Sequence, residues 1–144
     1  MRTAISALDA FVAFAPLAPS KIMSKKILFV EDEPDLQKTL GSVLENIGFE
    51  VVSAFDGEAA VTLAKQHLPD LILLDLILPK KDGFQVLEEI KKEESTKRIP
   101  VIILSNLESI NEIERAIELG ATTYLIKTNY RLDEVIDKIK NIIG

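Results

Sequence analysis

This chain of 144 residues has no cysteine, few basic residues and no long apolar run, and each shortage excludes a class of protein. Without cysteine there can be no disulfide, no thiolate zinc site and no cysteine nucleophile. The 17 basic residues are outnumbered by 23 acidic ones, and the net charge of -6 argues against direct binding to nucleic-acid phosphates. The longest apolar candidate, residues 10–18, is broken by Pro16 and is far shorter than the roughly 20 residues of a membrane span. The length suits one domain.

The first residues differ from the rest of the chain and predict a separate segment. We interpret 1–23 as an N-terminal extension, disordered or weakly helical, and 24–144 as the domain. A secretory signal is an alternative for the extension, because Arg2 precedes its apolar stretch, but Asp9 interrupts that reading. No membrane insertion is expected, and the predicted location is the cytoplasm.

The remaining 121 residues alternate between strand-like and helix-like segments five times. This alternation predicts an α/β fold, a flavodoxin-like doubly wound parallel sheet of five strands in the order 2-1-3-4-5 with five helices. The predicted strands are 26–30, 50–54, 71–75, 100–104 and 123–126. The predicted helices are 34–47, 57–67, 83–94, 108–119 and 131–143.

Acidic residues follow two of the apolar strands at the point where each strand ends. Residues 26–30 run into Glu31 and Asp32, and residues 71–74 run into Asp75. In the predicted order the first and third strands are neighbours, and ligands of such sheets bind at the carboxyl ends of the strands beside that switch point. Three carboxylates should therefore meet there, where a hard divalent cation would offset their repulsion.

The loop after the first strand distinguishes this site from a nucleotide site. A phosphate-binding loop would be rich in glycine or hydroxyl groups, whereas residues 31–35 carry four carboxylates and a proline. Such a loop repels an anion and suits magnesium. Two more strand ends add Ser105 and Lys127 to the same edge.

With these residues the chain resembles the receiver domain of two-component response regulators. The resemblance covers 24–144 and rests on Glu31-Asp32, on Asp75 in the run 74–83, on Ser105 and on Lys127. It implies that the aspartate accepts a phosphoryl group from a histidine kinase or a histidine phosphotransfer protein. The hydroxyl and the lysine would then bind the phosphoryl oxygens.

The resemblance also implies a metal site and a switch. Mg²⁺ would be held by Glu31, Asp32, Asp75 and the backbone carbonyl of Ile77. Tyr124 stands at the position of the family's aromatic switch, where its ring would respond to Ser105 and remodel the face of helix four, strand five and helix five. Two features depart from the family's usual pattern: Glu31 replaces an aspartate, and Thr128 replaces a proline after Lys127.

The predicted function is a phosphorylation-dependent signalling switch, a phosphoacceptor that catalyses its own phosphorylation and dephosphorylation rather than an enzyme acting on a separate substrate. A phosphorelay intermediate is an alternative. A second class of alternatives comprises an aspartyl-phosphate hydrolase, which would need an acid where Ile77 stands, and a metal-stabilised binding module. The expected partners are the kinase or phosphotransfer protein and a downstream protein target, with the chain itself a monomer or a weak phosphorylation-dependent dimer.

Overall fold

The computed structural model describes residues 24–144, and the predicted extension at 1–23 lies outside the described residues. Five parallel strands form one sheet in the order β2-β1-β3-β4-β5, which confirms the predicted topology. The strands are β1 (Lys26–Val30), β2 (Glu50–Ala54), β3 (Leu71–Leu74), β4 (Val101–Ser105) and β5 (Thr123–Ile126). The helices are α1 (Pro34–Ile47), α2 (Gly57–His67), α3 (Gly83–Lys92), α4 (Ile110–Glu118) and α5 (Leu132–Ile143), with a 3₁₀ turn at Lys127–Asn129.

Helices cover both faces of the sheet, and successive strand residues point to opposite faces and pack against different helices. Leu28, Val30 and Leu74 pack with α2, α3 and α4 on one face. Phe29 and Leu73 pack with α1 and α5 on the other. The central strands are apolar on both faces for this reason, and the acids come only where they leave the core.

Seven predicted boundaries were wrong by one or two residues: the ends of α3 and β3, the start of α5, and both ends of α4 and of β4. Local hydrogen bonds account for two of them. Helix α3 ends at Lys92 rather than 94, because the chain turns there and the Thr96 hydroxyl donates to the Ile90 carbonyl at 2.7 Å. Helix α4 begins at Ile110 rather than 108, because the side chain of Ser109 caps it. Strand β3 ends at Leu74, so Asp75 lies just beyond the strand.

The segment after Asp75 packs closely against the start of α2. The Gly57 N–H donates to the Pro79 carbonyl at 3.2 Å. A Cβ added at Gly57 would lie 1.8 Å from the Lys81 carbonyl oxygen, so only glycine fits there. Lys80, between these contacts, has φ 69°, a left-handed conformation that is costly for a residue with a side chain. The loop carrying Asp75 is thus fixed by α2 as well as by its own strand.

This contact predicts opposite effects for two glycine substitutions. Gly57→Ala should lower the free energy of unfolding by about 2 kcal/mol, because the Lys81 carbonyl must move to admit the methyl group. Gly41→Ala, in the middle of α1 with open space around it, should raise it by about 0.5–1 kcal/mol through helix propensity. Urea unfolding of both variants measures the pair. Equal effects would show that the packing at Gly57 is loose.

Candidate functional site

The carboxyl ends of β1 and β3 bring the predicted acids together. One carboxylate oxygen from each of Glu31, Asp32 and Asp75 lies within 4.8 Å of the others. Backbone pairing across the sheet fixes this convergence: the Asp75 N–H donates to the Val30 carbonyl at 3.1 Å, and β1 and β3 are in register from Ile27 to Val30. The three acids form a set of oxygen donors at the switch point of the sheet, which is the chemistry that Mg²⁺ prefers.

Lys127 bridges two of these acids. Its Nζ lies 3.0 Å from Asp75 Oδ2, as a hydrogen bond, and 2.7 Å from Glu31 Oε1. The second contact is a buried ion pair, since the side chains of Lys127 and Glu31 are 16% and 2% exposed. Lys127 is the first residue of the 3₁₀ turn that follows β5, and its side chain contacts the acids at the ends of β1 and β3.

Burial and ion pairing have opposing effects on the pKa values of Glu31 and Lys127. Burial raises the pKa of Glu31, the nearby charge of Asp75 raises it further, and the lysine contact only partly offsets both. Burial works against the charge of Lys127, but the carboxylates of Glu31 and Asp75 outweigh it and raise the lysine pKa above its usual value. One ammonium group therefore faces two buried carboxylates. This surplus of negative charge fits a cation.

The three acids are held in different ways. Glu31 is buried, and its Oε2 accepts the Glu33 N–H at 3.1 Å. Asp75 is buried, and its Oδ1 accepts the Ile77 N–H at 3.3 Å. Asp32 is exposed and accepts no hydrogen bond within the described part of the chain. Asp32 is therefore the acid whose carboxylate is free to take a ligand.

Ser105 and Tyr124 are linked through one residue. The Leu107 N–H donates to Ser105 Oγ at 3.3 Å, and the Tyr124 hydroxyl donates to the Leu107 carbonyl at 2.7 Å. Ser105 is fully buried at the end of β4, while the tyrosine ring is half-buried. Burial raises the pKa of Tyr124, with added contributions from the charges of Glu112 and Asp75. Ser105 and Tyr124 are thus connected by hydrogen bonds to the two backbone groups of Leu107.

Sequence reasoning missed one residue of this region. Gln37 lies in the first turns of α1, 6% exposed, and its side-chain amide contacts the backbone behind Glu31. The signal was present, because Gln37 falls on the same helix face as Leu40 and Leu44, where a polar residue is unexpected.

The acid cluster predicts a stability change on removing one charge. In chelator, Asp32→Asn should raise the free energy of unfolding by about 0.5–1 kcal/mol, because it relieves repulsion at a solvent-screened position. The same change should weaken the stabilisation that added Mg²⁺ gives to the wild type. Melting curves with and without Mg²⁺ measure both effects, and Asp35→Asn, an exposed acid of the first helical turn, is the control. A lower melting temperature for Asp32→Asn in chelator would mean that the acid serves the fold.

The comparisons with known proteins agree with this fold and site. Residues 27–140 match the response regulator receiver domain family. The chain is 36% identical over 121 residues to the phosphate regulon transcriptional regulatory protein PhoB of Escherichia coli, covering 84% of this chain and 52% of PhoB. It is 36% identical over 118 residues to the DNA-binding dual master transcriptional regulator RpaA of Synechocystis, covering 82% and 48%. The chain thus spans about half the length of these relatives.

A solved structure gives the same result. The receiver domain of the sensor histidine kinase PA1611 from Pseudomonas aeruginosa, with a magnesium ion coordinated in its active site cleft, superposes with a TM-score of 0.76 at 31% identity, covering 84% of this chain and 98% of that one. The fold and the site define an α/β domain with an acidic cluster at the carboxyl ends of β1 and β3. The chain belongs to the response regulator receiver domain family, the domain of two-component signalling proteins.

No helix in residues 24–144 is long and apolar enough to cross a membrane.

Proposed function

We propose that residues 24–144 form a phosphorylation-dependent switch in which Asp75 accepts a phosphoryl group from a histidine kinase or a histidine phosphotransfer protein. The observation that carries the proposal is the position of Asp75. One of its carboxylate oxygens lies within 4.8 Å of a carboxylate oxygen of Glu31 and of Asp32, close enough for the three to share one metal ion, and its Oδ2 accepts a hydrogen bond from Lys127 at 3.0 Å. A carboxylate can attack phosphorus only where the incoming negative charge is neutralised. Lys127, together with a Mg²⁺ ion held by the acids, would supply that neutralisation.

The proposed transfer assigns a task to each side chain. An oxygen of Asp75 forms the new bond to phosphorus while the bond from phosphorus to the donor's imidazole nitrogen breaks, leaving its electron pair on that nitrogen. Lys127 faces the incoming phosphoryl oxygens, and Ser105 donates to one of them. Glu31, Asp32, Asp75 and the backbone carbonyl of Ile77 would hold Mg²⁺, which supplies the remaining charge neutralisation.

The same groups serve both formation and loss of the acyl phosphate, so the domain would catalyse its own phosphorylation and dephosphorylation. The hydrolase alternative has less support, because the second residue after Asp75 is Ile77, whose exposed side chain cannot act as an acid. A phosphorelay role, passing the group onward to another histidine, uses the same site and remains the alternative output.

The output surface that we propose is the face of α4, β5 and α5. Its support is the link from Ser105 through Leu107 to Tyr124, which connects the phosphoryl site to β5. A ligand that draws the serine toward Asp75 would disturb this link and shift a two-state equilibrium of the face. The downstream partner is a protein. For residues 24–144 we propose no direct contact with nucleic acid, no membrane insertion, a cytoplasmic location, and a monomer or a weak phosphorylation-dependent dimer.

A beryllofluoride titration followed by NMR tests this switch, because beryllofluoride mimics a phosphoryl group on an aspartate. With Mg²⁺ present, we expect chemical-shift changes at Asp75 and at residues 105–130. Changes confined to the neighbourhood of Asp75 would support a phosphoacceptor without this output face. No change anywhere would favour the binding module.

A further inference from the structure

Gln37 makes a set of contacts that the proposed function does not use. Its side chain runs from α1 to the ends of the two neighbouring strands, where Nε2 lies 2.9 Å from the Phe29 carbonyl oxygen, 3.0 Å from that of Ala54 and 3.1 Å from that of Glu31. The residue is 6% exposed. One amide nitrogen therefore joins β1, β2 and the loop that carries the acids.

The chemistry of this contact allows only one orientation of the amide. Three carbonyl oxygens face the terminal group, and only the nitrogen can donate to them, so the side-chain oxygen must point the other way. That oxygen is buried and has no hydrogen-bond partner among the described residues. An unpartnered buried acceptor is costly, and an apolar side chain would avoid it. Gln37 thus keeps the three contacts of its Nε2, although its unpartnered side-chain oxygen lowers the stability of the fold.

The Glu31 carbonyl is the contact with the greatest consequence for the site. It belongs to the planar peptide that joins Glu31 to Asp32, so fixing this oxygen fixes the orientation of the whole peptide unit. The Glu31 side chain has its own restraints from Lys127 and the Glu33 N–H. The side chain of Asp32 has no such restraint, and its direction follows from the backbone that Gln37 holds.

We propose that Gln37 is a positioning residue for the metal-binding loop: it orients the Glu31–Asp32 peptide so that the exposed carboxylate of Asp32 points into the cluster. The inference rests on the proposed function, since it assigns the metal to these acids. Residues that orient metal ligands typically change metal affinity by about tenfold to a hundredfold when they are removed.

Calorimetric titration with Mg²⁺ tests the proposal in the absence of any phosphodonor. We expect Gln37→Met, which keeps the length but removes the donors, to bind Mg²⁺ at least about tenfold more weakly than the wild type. Leu40→Ala is the matched control, since Leu40 is buried on the same helix; it should lower the melting temperature and leave the affinity unchanged.

The outcomes separate this proposal from the function on which it rests. If Gln37→Met has a lower melting temperature but binds Mg²⁺ as tightly as the wild type, Gln37 serves packing and the proposal is wrong. If the wild type itself binds no Mg²⁺, the proposed function fails first and the inference fails with it. If Gln37→Met does not fold, Gln37→Asn keeps the amide but is too short to reach all three carbonyls. The same loss of affinity is then expected, and an unchanged affinity overturns the proposal.

Discussion

Asp75→Ala will take up no phosphoryl group from acetyl phosphate and Mg²⁺, whereas the wild type will take up one. The expectation follows from the site, because Asp75 is the carboxylate that lies among both the other acids and Lys127. Glu31 is the competitor that this measurement separates from Asp75, because it too is buried and paired with Lys127. Asp32 is exposed, and Lys127, the cation that would neutralise an incoming phosphoryl group, pairs with Glu31 and Asp75 rather than with Asp32 in the described part of the chain.

Intact-mass measurement after incubation with acetyl phosphate reads this result directly. Asp82→Asn is the matched control, because Asp82 is an exposed carboxylate of the same loop whose side chain caps α3 by accepting the Gln85 N–H at 3.0 Å. Asparagine caps a helix as well as aspartate does, so this variant should gain a phosphoryl group like the wild type. A mass gain that persists in Asp75→Ala would place the acceptor elsewhere.

Lys127→Met will lower the free energy of unfolding at neutral pH by about 3 kcal/mol in chelator. The ammonium group lies between Glu31 and Asp75, whose side chains are only 2% and 6% exposed. Removing one partner of a buried ion pair leaves uncompensated buried charge, and here a single substitution leaves two carboxylates. Added Mg²⁺ should recover part of the loss, because it restores positive charge to the same cluster.

The pH dependence of this loss has a definite sign. The pKa of Glu31 is already raised in the wild type, mainly by burial, and will rise further without the lysine. A carboxyl group with a raised folded-state pKa destabilises the fold above that pKa and ceases to do so as the pH falls below its unfolded value. The difference between variant and wild type should therefore shrink as the pH is lowered through the raised pKa of Glu31.

At the alkaline end the difference should also shrink, for the opposite reason. The pKa of Lys127 is raised in the fold, so its contribution is complete at neutral pH and is lost as the pH rises through that raised value. Urea unfolding across the pH range measures both limits.

An exposed pair gives the control for this prediction. Lys92 Nζ lies 2.9 Å from Glu88 Oε2, a distance similar to those at Lys127, but the two side chains are 74% and 47% exposed. Lys92→Met should change the free energy of unfolding by less than about 0.5 kcal/mol, because water screens this pair. Equal losses for the two lysine variants would show that burial does not set the strength of the Lys127 contacts.

Much of the fold follows from local patterns in the sequence. The strands β1 and β3 are buried on both faces, so their apolar runs are continuous and their ends are marked by the first acids. Pro34 opens α1, and Gly48 ends it with φ 121°, so the bounds of this helix could be predicted. The predicted end of α3 and start of α4 were wrong, because they depend on a hydrogen bond from the Thr96 hydroxyl to a carbonyl and on a serine cap, both of which compete with helix propensity.

The site residues that could be predicted are those whose residue type and place at a strand end mark them. Contacts between segments distant in the sequence could not be predicted. Glu31, Asp32, Asp75, Ser105 and Lys127 all fall at or just after the carboxyl end of a strand, and topology brings them to one edge. The fit of the Lys81 carbonyl against Gly57, by contrast, joins segments far apart in the sequence. Such fits leave no local pattern.

The location of the phosphoryl group in the wild-type chain tests whether Asp75 is the acceptor. Borohydride reduces an aspartyl phosphate to homoserine and so marks the residue that carried it, which peptide mass spectrometry then identifies. After treatment with acetyl phosphate, we predict the mark at Asp75 in Mg²⁺ and no mark in chelator. A mark at Glu31 or Asp32, or one of equal strength without Mg²⁺, would contradict the account.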